Sequence, residues 1–277
     1  EERQAFLLRL SDALRAEPDA DAVAGRALRL LAEQMRLDRC YVTSYYLEED
    51  RADVTHQVGN DRVAPLPDQF RLSDFPAATR LVSERTMAVD DDLEREDLSE
   101  QEKRNSRALG MRAFLAATLR KGEGTPNWGI GAIAASPRHW TRGEIALLEE
   151  ATERTWAAME RTRTEAALRA SETRLRLITD AMPALIAYID AGLHYRFANR
   201  HYQHWFGQAP EEIIGQHLRD FLGEAAFARL RPYAEAALAG QRQSFEAEVP
   251  FREGGTRHVR SEFVPEVRPN GSVAGYY

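Results

Sequence analysis

Two of the seven histidines, His201 and His204, have a spacing that could place two imidazoles side by side for a metal ion. They lie three residues apart in a segment that we expect to form a short helix, so both rings would project from one face. No cysteine follows them, and the nearest histidines and acids form no ligand motif. The pattern therefore favours a solvated or hydrogen-bonded helix face, and we predict no metal site.

Catalytic motifs are equally sparse. A phosphoacceptor histidine would be followed by an acid on a dimerising helix, and none of the seven histidines here precedes an acid. The run Gly129-Ile130-Gly131 lacks a third glycine and lies in a predicted strand, so it is not a dinucleotide-binding turn. No phosphate-binding loop and no cyclase signature occurs either. We therefore predict no catalytic residue in this stretch.

What remains for chemistry is a set of aromatic side chains that could line apolar cavities. The candidates in the first half of the chain are Tyr41, Tyr45, Phe75, Phe114 and Trp128. The aromatic candidates in the second half are Tyr188, Phe197, Tyr202, Trp205, Phe206 and Phe221. We expect Asn199 near the mouth of that second cavity. The alternative is that these aromatics are ordinary core residues.

Composition limits the kind of protein that positions these residues. A length of 277 residues predicts about two domains, each large enough for its own core. The net charge of -7 argues against a general nucleic-acid binder. The single cysteine, Cys40, excludes an internal disulfide framework and fits a reducing compartment. No apolar run approaches the length of a membrane span, so we expect a cytoplasmic location and leave open a membrane segment upstream of Glu1.

One long helix is predicted from Thr141 to Met182, bracketed by prolines and opened by a capping box of Thr141 and Glu144. Apolar or small residues recur in it at steps of three and four, a heptad seam. A second seam in another phase follows, through Leu168, Ser171, Leu175, Ile178 and Met182. We predict a parallel homodimer with these contact positions in the first seam: Leu148, Thr152, Thr155, Met159, Thr162 and Ala166. The alternative is two amphipathic helices that each cover their own domain.

The region before this helix has an order of helices, strands, helix, strands and long closing helix. Its most informative residues are the run from Trp128 to Ser136, then Trp140 and the run from Ile145 to Leu148. With them the region resembles a GAF domain, over roughly residues 3 to 165. We predict a GAF domain at 1–165, whose C-terminal helix starts near residue 141, and a connecting helix at 166–182.

After the helix, an apolar strand ends in Asp190, and a turn at Ala191-Gly192 leads to a second strand from Tyr195. The runs Trp205-Phe206-Gly207 and Pro210 to Gly215 follow. This pattern resembles a PAS domain, which we place at 183–277 and read as truncated in its last strand. The fold class implied is α+β: two sensor domains, each an antiparallel sheet flanked by helices, joined by a long helix.

These resemblances leave the cofactor unknown. The run from Ser73 to Ala77 is similar to a segment of bilin-binding phytochromes. That family has histidines beside the chromophore at two positions, and this chain has residues 104–106 and Ala134-Ala135 at those positions, none of which is histidine. The PAS-like region has no cysteine for a cysteinyl-flavin photocycle. Its long helix, from Ala225 to Gly240, has no histidine for a haem. Bilin, cysteinyl-flavin and haem are therefore all disfavoured.

The resemblances imply the input module of a two-component sensor histidine kinase, which relays ligand or interface changes along a dimeric helix to an output domain in the same chain. One alternative is the input module of a diguanylate cyclase. Others are a cofactor-bearing, bilin-like photoreceptor and a purely structural dimerisation segment. A small-molecule ligand is a further expected partner, and nucleic acid is not.

Overall fold

The computed structural model describes residues 2–75, 86–91, 94, 98–119, 127–251 and 255–277. The chain divides into two compact units, Glu1–Leu168 and Arg169–Tyr277, and each is described by itself. Two predicted elements lie outside the described residues. They are the continuation of a helix that Ser73-Asp74-Phe75-Pro76 would start and the turn from Lys121 to Pro126.

The N-terminal unit is built on a six-stranded antiparallel sheet with the strand order β3-β2-β1-β6-β5-β4. The strands are β1 (Arg39–Tyr46), β2 (Arg51–Gly59), β3 (Gln69–Arg71), β4 (Thr86–Val89), β5 (Ala113–Leu119) and β6 (Asn127–Ala134). Val, Ile, Thr and Tyr are frequent in the central strands, and these side chains suit a pleated, buried surface. The antiparallel sheet implied by the resemblance is therefore present.

Four helices accompany this sheet in the described residues: α1 (Glu2–Arg15), α2 (Ala20–Met35), α3 (Glu100–Leu109) and α4 (Arg142–Ala181). Apolar side chains of α1, α2 and α4 form one core with one face of the sheet. Asp19 caps α2, because its Oδ1 accepts a hydrogen bond of 2.8 Å from the backbone N–H of Ala22. Trp128 of β6 contacts Trp156 of α4 within this core, with ring centroids 5.1 Å apart.

Helix α3 lies over the other face of the sheet and corrects one prediction. The sequence from Asp90 to Lys103 reads as an acidic loop, yet a helix begins at Glu100. Ser99 opens it with a capping box: its backbone N–H donates to Glu102 Oε2 at 2.9 Å, and its Oγ accepts from the Glu102 N–H at 3.2 Å. The acidic composition concealed this start signal.

Helix α4 runs for 40 residues, as predicted. Its start is also as predicted, because Thr141 Oγ1 accepts from the Glu144 N–H at 3.2 Å while Glu144 Oε2 accepts from the Thr141 N–H at 2.9 Å. The helix is long but rich in charged residues. No helix in the described part of the chain combines the length and the hydropathy that crossing a bilayer requires.

The first heptad seam of α4 faces the core of the N-terminal unit. Leu148, Thr152, Thr155, Met159 and Thr162 are buried within that unit, and only Ala166 of the predicted contact set is exposed. The prediction that these five buried residues contact a second copy is therefore wrong. Steps of three and four suit a helix lying on its own domain as well as a helix in a coiled coil.

The C-terminal unit contains a four-stranded antiparallel sheet, with the order β11-β12-β7-β8, and a two-stranded ribbon of β9 and β10. Its strands are β7 (Ala187–Asp190), β8 (Tyr195–Ala198), β9 (Gln243–Phe251), β10 (Gly255–Phe263), β11 (Pro265–Val267) and β12 (Val273–Tyr276). Only Val264 separates β10 from β11, and its backbone exchanges two 2.9 Å hydrogen bonds with Tyr277. The ribbon therefore continues the sheet past a local break.

Four further helices pack in the described part of this unit: α5 (His201–Phe206), α6 (Pro210–Ile213), α7 (Leu218–Leu222) and α8 (Glu224–Leu238). The buried face of α8 carries Phe227, Leu230, Ala234 and Ala237, at the steps of three and four that define one side of a helix. It packs against β9 and β12, where Phe245 and Tyr276 are buried.

Candidate functional site

The N-terminal unit encloses a cavity between its sheet and α3, with a volume of about 90 Å³. Its wall is mostly apolar and includes Tyr41, Phe70, Phe75, Met87, Phe114 and Ile133. The wall also contains Glu102 and Ser106 of α3, and the Glu102 carboxylate accepts hydrogen bonds from the Ser99 N–H and Oγ. This volume holds roughly six water molecules, or a ligand of only a few heavy atoms.

Tyr41 forms the floor of this N-terminal cavity because the neighbouring strand has a glycine opposite it. Gly131 is the direct cross-strand partner of Tyr41, and a Cβ at position 131 would lie 2.2 Å from Tyr41 Cζ. The ring therefore occupies the space that any other residue at position 131 would need. Burial raises the pKa of Tyr41 well above its ordinary value, so the phenol keeps its proton.

Replacing Gly131 by Ala should lower the free energy of unfolding of the N-terminal unit by about 2 kcal/mol, because the added methyl group displaces the Tyr41 ring. Urea unfolding measures the change. The matched control is Gly143→Ala, since the nearest atom to a Cβ there is Thr141 Oγ1 at 3.9 Å and alanine favours a helix. Equal stability of the two variants would contradict the close packing described here.

Three of the five predicted residues of the first half line the N-terminal cavity: Tyr41, Phe75 and Phe114. Tyr45 is buried beside it with Leu72 and Met87, outside its wall. Trp128 lies on the opposite face of the sheet, in the core with α1, α2 and α4. Successive strand residues point to opposite faces, so Gly129, Gly131 and Ile133 share the cavity side of β6 and Trp128 does not.

The C-terminal unit contains a larger cavity of about 520 Å³ among its strands, α5, α7 and α8. Aromatic residues of its wall include Tyr195, Tyr202, Trp205, Phe206, Phe251 and Tyr276. The size lies in the range of small-molecule sites, about 300 to 1,000 Å³. Its charged lining residues, Arg260 and Glu262, are exposed, as is His258.

Tyr202, Trp205 and Phe206 are predicted cavity residues that line this C-terminal cavity, whereas Tyr188 and Phe197 do not. The cause is an irregular register between β7 and β8. Tyr188 pairs with Phe197 and Ile189 pairs with Tyr195, which leaves Arg196 as an extra residue. Ile189 and Tyr195 thus face the core, and Tyr188 instead donates a hydrogen bond to Glu266.

Phe221, the other predicted aromatic, is buried next to the C-terminal cavity. Its ring lies 5.2 Å from the rings of both Tyr195 and Phe206. It lines a separate cavity of about 140 Å³, with Gln208 and Gln216. Tyr195 and Tyr276 are cavity residues that the sequence analysis missed, and no alternation signalled them, because buried and exposed positions do not alternate along either strand.

Asn199 is not at a cavity mouth, and this prediction is corrected. The residue is 1% exposed, and its Nδ2 donates to the carbonyl oxygens of Thr179 and Ala184, both at 2.8 Å. Its Oδ1 accepts from the Ile186 N–H at 3.1 Å. The Thr179 carbonyl is among the last four of α4, which have no partner within the helix. Asn199 therefore ties the C-terminal end of α4 to the start of α5.

His201 and His204 pack against each other with their ring centroids 5.7 Å apart. In the residues that the structure describes, no group of three or more His, Cys, Asp or Glu side chains is arranged to hold a metal ion. Cys40 is free and buried in the core, and burial raises the pKa of its thiol to about 12. Among the described residues, the cavity beneath α3 and the larger cavity of the C-terminal unit are each lined by three of the predicted pocket residues and are therefore the candidate sites.

The chain thus has two domains, each with an antiparallel sheet, flanking helices and an internal cavity, and this architecture is typical of sensory domains. Residues 19–159 match the family model of the GAF domain, and residues 179–277 match that of the PAS fold. The first match covers a little over half of the chain, which therefore belongs to the GAF domain family and carries a PAS domain after it. No curated protein matches the sequence.

Solved structures resemble the chain at low identity. The Stigmatella aurantiaca phytochrome photosensory core module has 13% identity and a TM-score of 0.51, over 65% of this chain and 41% of that one. The Neisseria meningitidis free methionine-R-sulfoxide reductase has 13% identity and a TM-score of 0.48, over 60% and 94%. The Thermosynechococcus elongatus PixJ GAF domain has 18% identity and a TM-score of 0.45, over 55% and 91%. Likeness at these identities shows the fold alone.

Proposed function

We propose that this chain is the sensory and signal-transmitting input module of a two-component sensor histidine kinase. It works as a parallel homodimer, with the kinase output domain in the same chain. The order of a GAF domain, a 40-residue helix and a PAS domain supports this proposal. The observation that carries it is an exposed apolar stripe on the second half of α4.

This α4 stripe consists of Leu168, Leu175 and Ile178, which are 59%, 61% and 53% exposed; Met182, the first residue after the end of α4, is 49% exposed. The spacing of seven and three residues places Leu168, Leu175 and Ile178 along one face of α4. Large apolar side chains in a row are costly to leave in water, and such rows normally mark an interface. The α4 stripe is the second seam, the one that the core of the GAF domain does not occupy.

A second copy of this chain is the occupant that fits the α4 stripe. In a coiled coil, the side chains of one helix fit into gaps between side chains of the facing helix that have the same spacing. A second copy of α4 has both the side chains and the matching gaps. A two-fold axis along the helix makes the interface self-complementary, so Leu175 and Ile178 meet their own counterparts. Parallel alignment also brings the two output domains together, as phosphotransfer between copies requires.

Contacts at both ends of α4 would let it carry a signal. Its first half packs into the GAF core, where the hydroxyls of Thr152 and Thr155 donate to carbonyls of α4 itself, both at 2.7 Å. Because these hydroxyls need no partner on another helix, the packing face can shift without losing their hydrogen bonds. Its last turn is held by Asn199. A ligand would shift the dimer only through its different affinity for two such packings.

The dimer is tested with Leu175→Glu combined with Ile178→Glu. Four carboxylates in one seam repel and lose apolar burial, so light scattering after gel filtration should show a dimer for the unchanged chain and a monomer for this variant. The matched control is Leu177→Glu, because Leu177 is 66% exposed but lies off the stripe. A monomeric unchanged chain, or a monomeric control, would refute the proposed interface.

The output class is tested on the full-length protein. Incubation with labelled ATP should give acid-labile phosphohistidine, and the Leu175→Glu, Ile178→Glu variant should lose its regulation. Formation of a cyclic dinucleotide from GTP, without phosphohistidine, would instead assign the module to a diguanylate cyclase.

A further inference from the structure

Three phenols lie together in the wall of the C-terminal cavity: Tyr195, Tyr202 and Tyr276, called here the phenol cluster. The rings of Tyr195 and Tyr202 are 5.8 Å apart. Burial raises the pKa of Tyr202 to about 12, with a hydrogen bond from Tyr195 acting in the opposite direction. Burial also raises the pKa of Tyr276, and the neighbouring Tyr202 adds to that shift. Burial raises the pKa of Tyr195 as well, so all three phenols keep their protons near neutral pH. The Tyr195 proton is donated to Tyr202, which leaves Tyr202 and Tyr276 as the donors for a ligand.

The Tyr276 hydroxyl stands out within the cluster. Tyr276 is 2% exposed, and no group among the described residues accepts or donates a hydrogen bond to its Oη. Buried hydroxyls in folded proteins nearly always have a partner, because an unpaired one loses its bonds to water and gains nothing in return. An acceptor that is not part of these residues would complete the site.

The other residues of the cavity wall indicate what kind of ligand could supply this hydrogen-bond acceptor. Trp205, Phe206 and Phe251 supply flat apolar surface, and the Phe206 and Phe251 rings meet edge to face at 5.4 Å. The charged lining residues, Arg260 and Glu262, are exposed, so no charged side chain of the described wall lies in the buried part of the cavity. An ionised ligand would have to give up its water there without a counter-charge. Water could also reach the Tyr276 hydroxyl, but it would leave the apolar faces of Trp205, Phe206 and Phe251 without a packing partner.

We infer that the PAS cavity binds a small, neutral, largely aromatic molecule whose carbonyl oxygen accepts hydrogen bonds from Tyr202 and Tyr276 of the phenol cluster. This inference deepens the proposed function by naming the class of stimulus. Binding takes place within the C-terminal unit, so it can be measured on this chain whether or not the dimer and the kinase output are confirmed.

The probe is benzophenone, a neutral aromatic ketone. Its matched control is diphenylmethane, which has the same rings and lacks the oxygen, and diphenylacetate supplies a charged acceptor. Calorimetric titration should show benzophenone binding about tenfold more tightly than either compound, the difference that one well-made buried hydrogen bond supplies. Irradiation of the bound ketone should label C–H groups of the cavity wall, which peptide mass analysis would place in residues 183–277.

Tyr276→Phe gives the decisive pair of readouts. Removal of an unpaired buried hydroxyl should raise the Tm of the ligand-free chain by about 3 °C, while benzophenone binding weakens about tenfold. Tyr233→Phe is the control, because Tyr233 stacks on Phe245 at 3.7 Å outside the cavity wall, and it should change neither value. If Tyr276→Phe does not fold, Tyr202→Phe tests the same loss of affinity.

Four results would overturn the inference. They are no binding of benzophenone up to its solubility limit, equal binding of diphenylmethane, labelling confined to the GAF domain, and unchanged affinity in both tyrosine variants.

Discussion

Replacing Asn199 by Ala should lower the free energy of unfolding of the PAS domain by about 3 kcal/mol. The substitution deletes three hydrogen bonds at once, from Nδ2 to the carbonyls of Thr179 and Ala184 and from the Ile186 N–H to Oδ1. Each partly buried backbone group left without a partner costs about 1 kcal/mol or more. Hydrogen exchange read by mass spectrometry resolves the two domains, and exchange should accelerate most in residues 179–187.

Two comparison variants make the Asn199 prediction specific. Asn199→Asp keeps an acceptor for the Ile186 N–H but loses both donors, so its stability should fall between those of the alanine variant and the unchanged chain. Asn270→Ala makes the same chemical change in an exposed turn, where Oδ1 accepts from the N–H and the Oγ of the nearby Ser272, and should cost less than about 1 kcal/mol. A result in which Asn199→Ala and Asn270→Ala are equally stable would contradict the role of Asn199 at the helix end.

Asn199 also shows where sequence reasoning succeeds and fails in this chain. Its position after a strand and before a short helix could be read from the pattern, as could α4, because caps and periodicity are local signals. Its three bonds reach back to residues 179–186, and no pattern around position 199 indicates those partners. Local sequence signals predict which helices and strands form. Hydrogen-bond partners that are distant in the sequence can be identified only from the folded structure.

The cavities follow the same division. The sequence indicates elements that do line each cavity, but the face that a strand presents depends on its register. The extra residue Arg196 reverses the expected faces within β8. On α4, the burial of Leu148 and the exposure of Leu175 could not be separated by sequence alone, because both sit in seams with the same spacing. What distinguishes them is whether a domain core already covers the seam.

A second large effect is expected at Arg39, which is buried at the start of β1. Its Nη2 and Nε donate to the Val63 carbonyl at 2.7 and 3.1 Å, and Nη1 donates to Gln57 Oε1 at 3.1 Å. Gln57 in turn holds both the N–H and the carbonyl of Leu66. Arg39 and Gln57 thus fix the loop that supplies Leu66 and Pro67 to the wall of the GAF cavity.

Arg39→Met should therefore lower the free energy of unfolding of the GAF domain by about 3 kcal/mol and loosen that loop. Methionine fills a similar volume, but the Val63 carbonyl loses its donors in a buried place. Urea unfolding gives the energy, and faster amide exchange in residues 60–67 shows its location. Arg26→Met makes the same change at an exposed position of α2 and should stay within about 0.5 kcal/mol of the unchanged chain. If Arg39→Met destabilised the domain without faster exchange in residues 60–67, Arg39 would act through the core and not through the cavity wall.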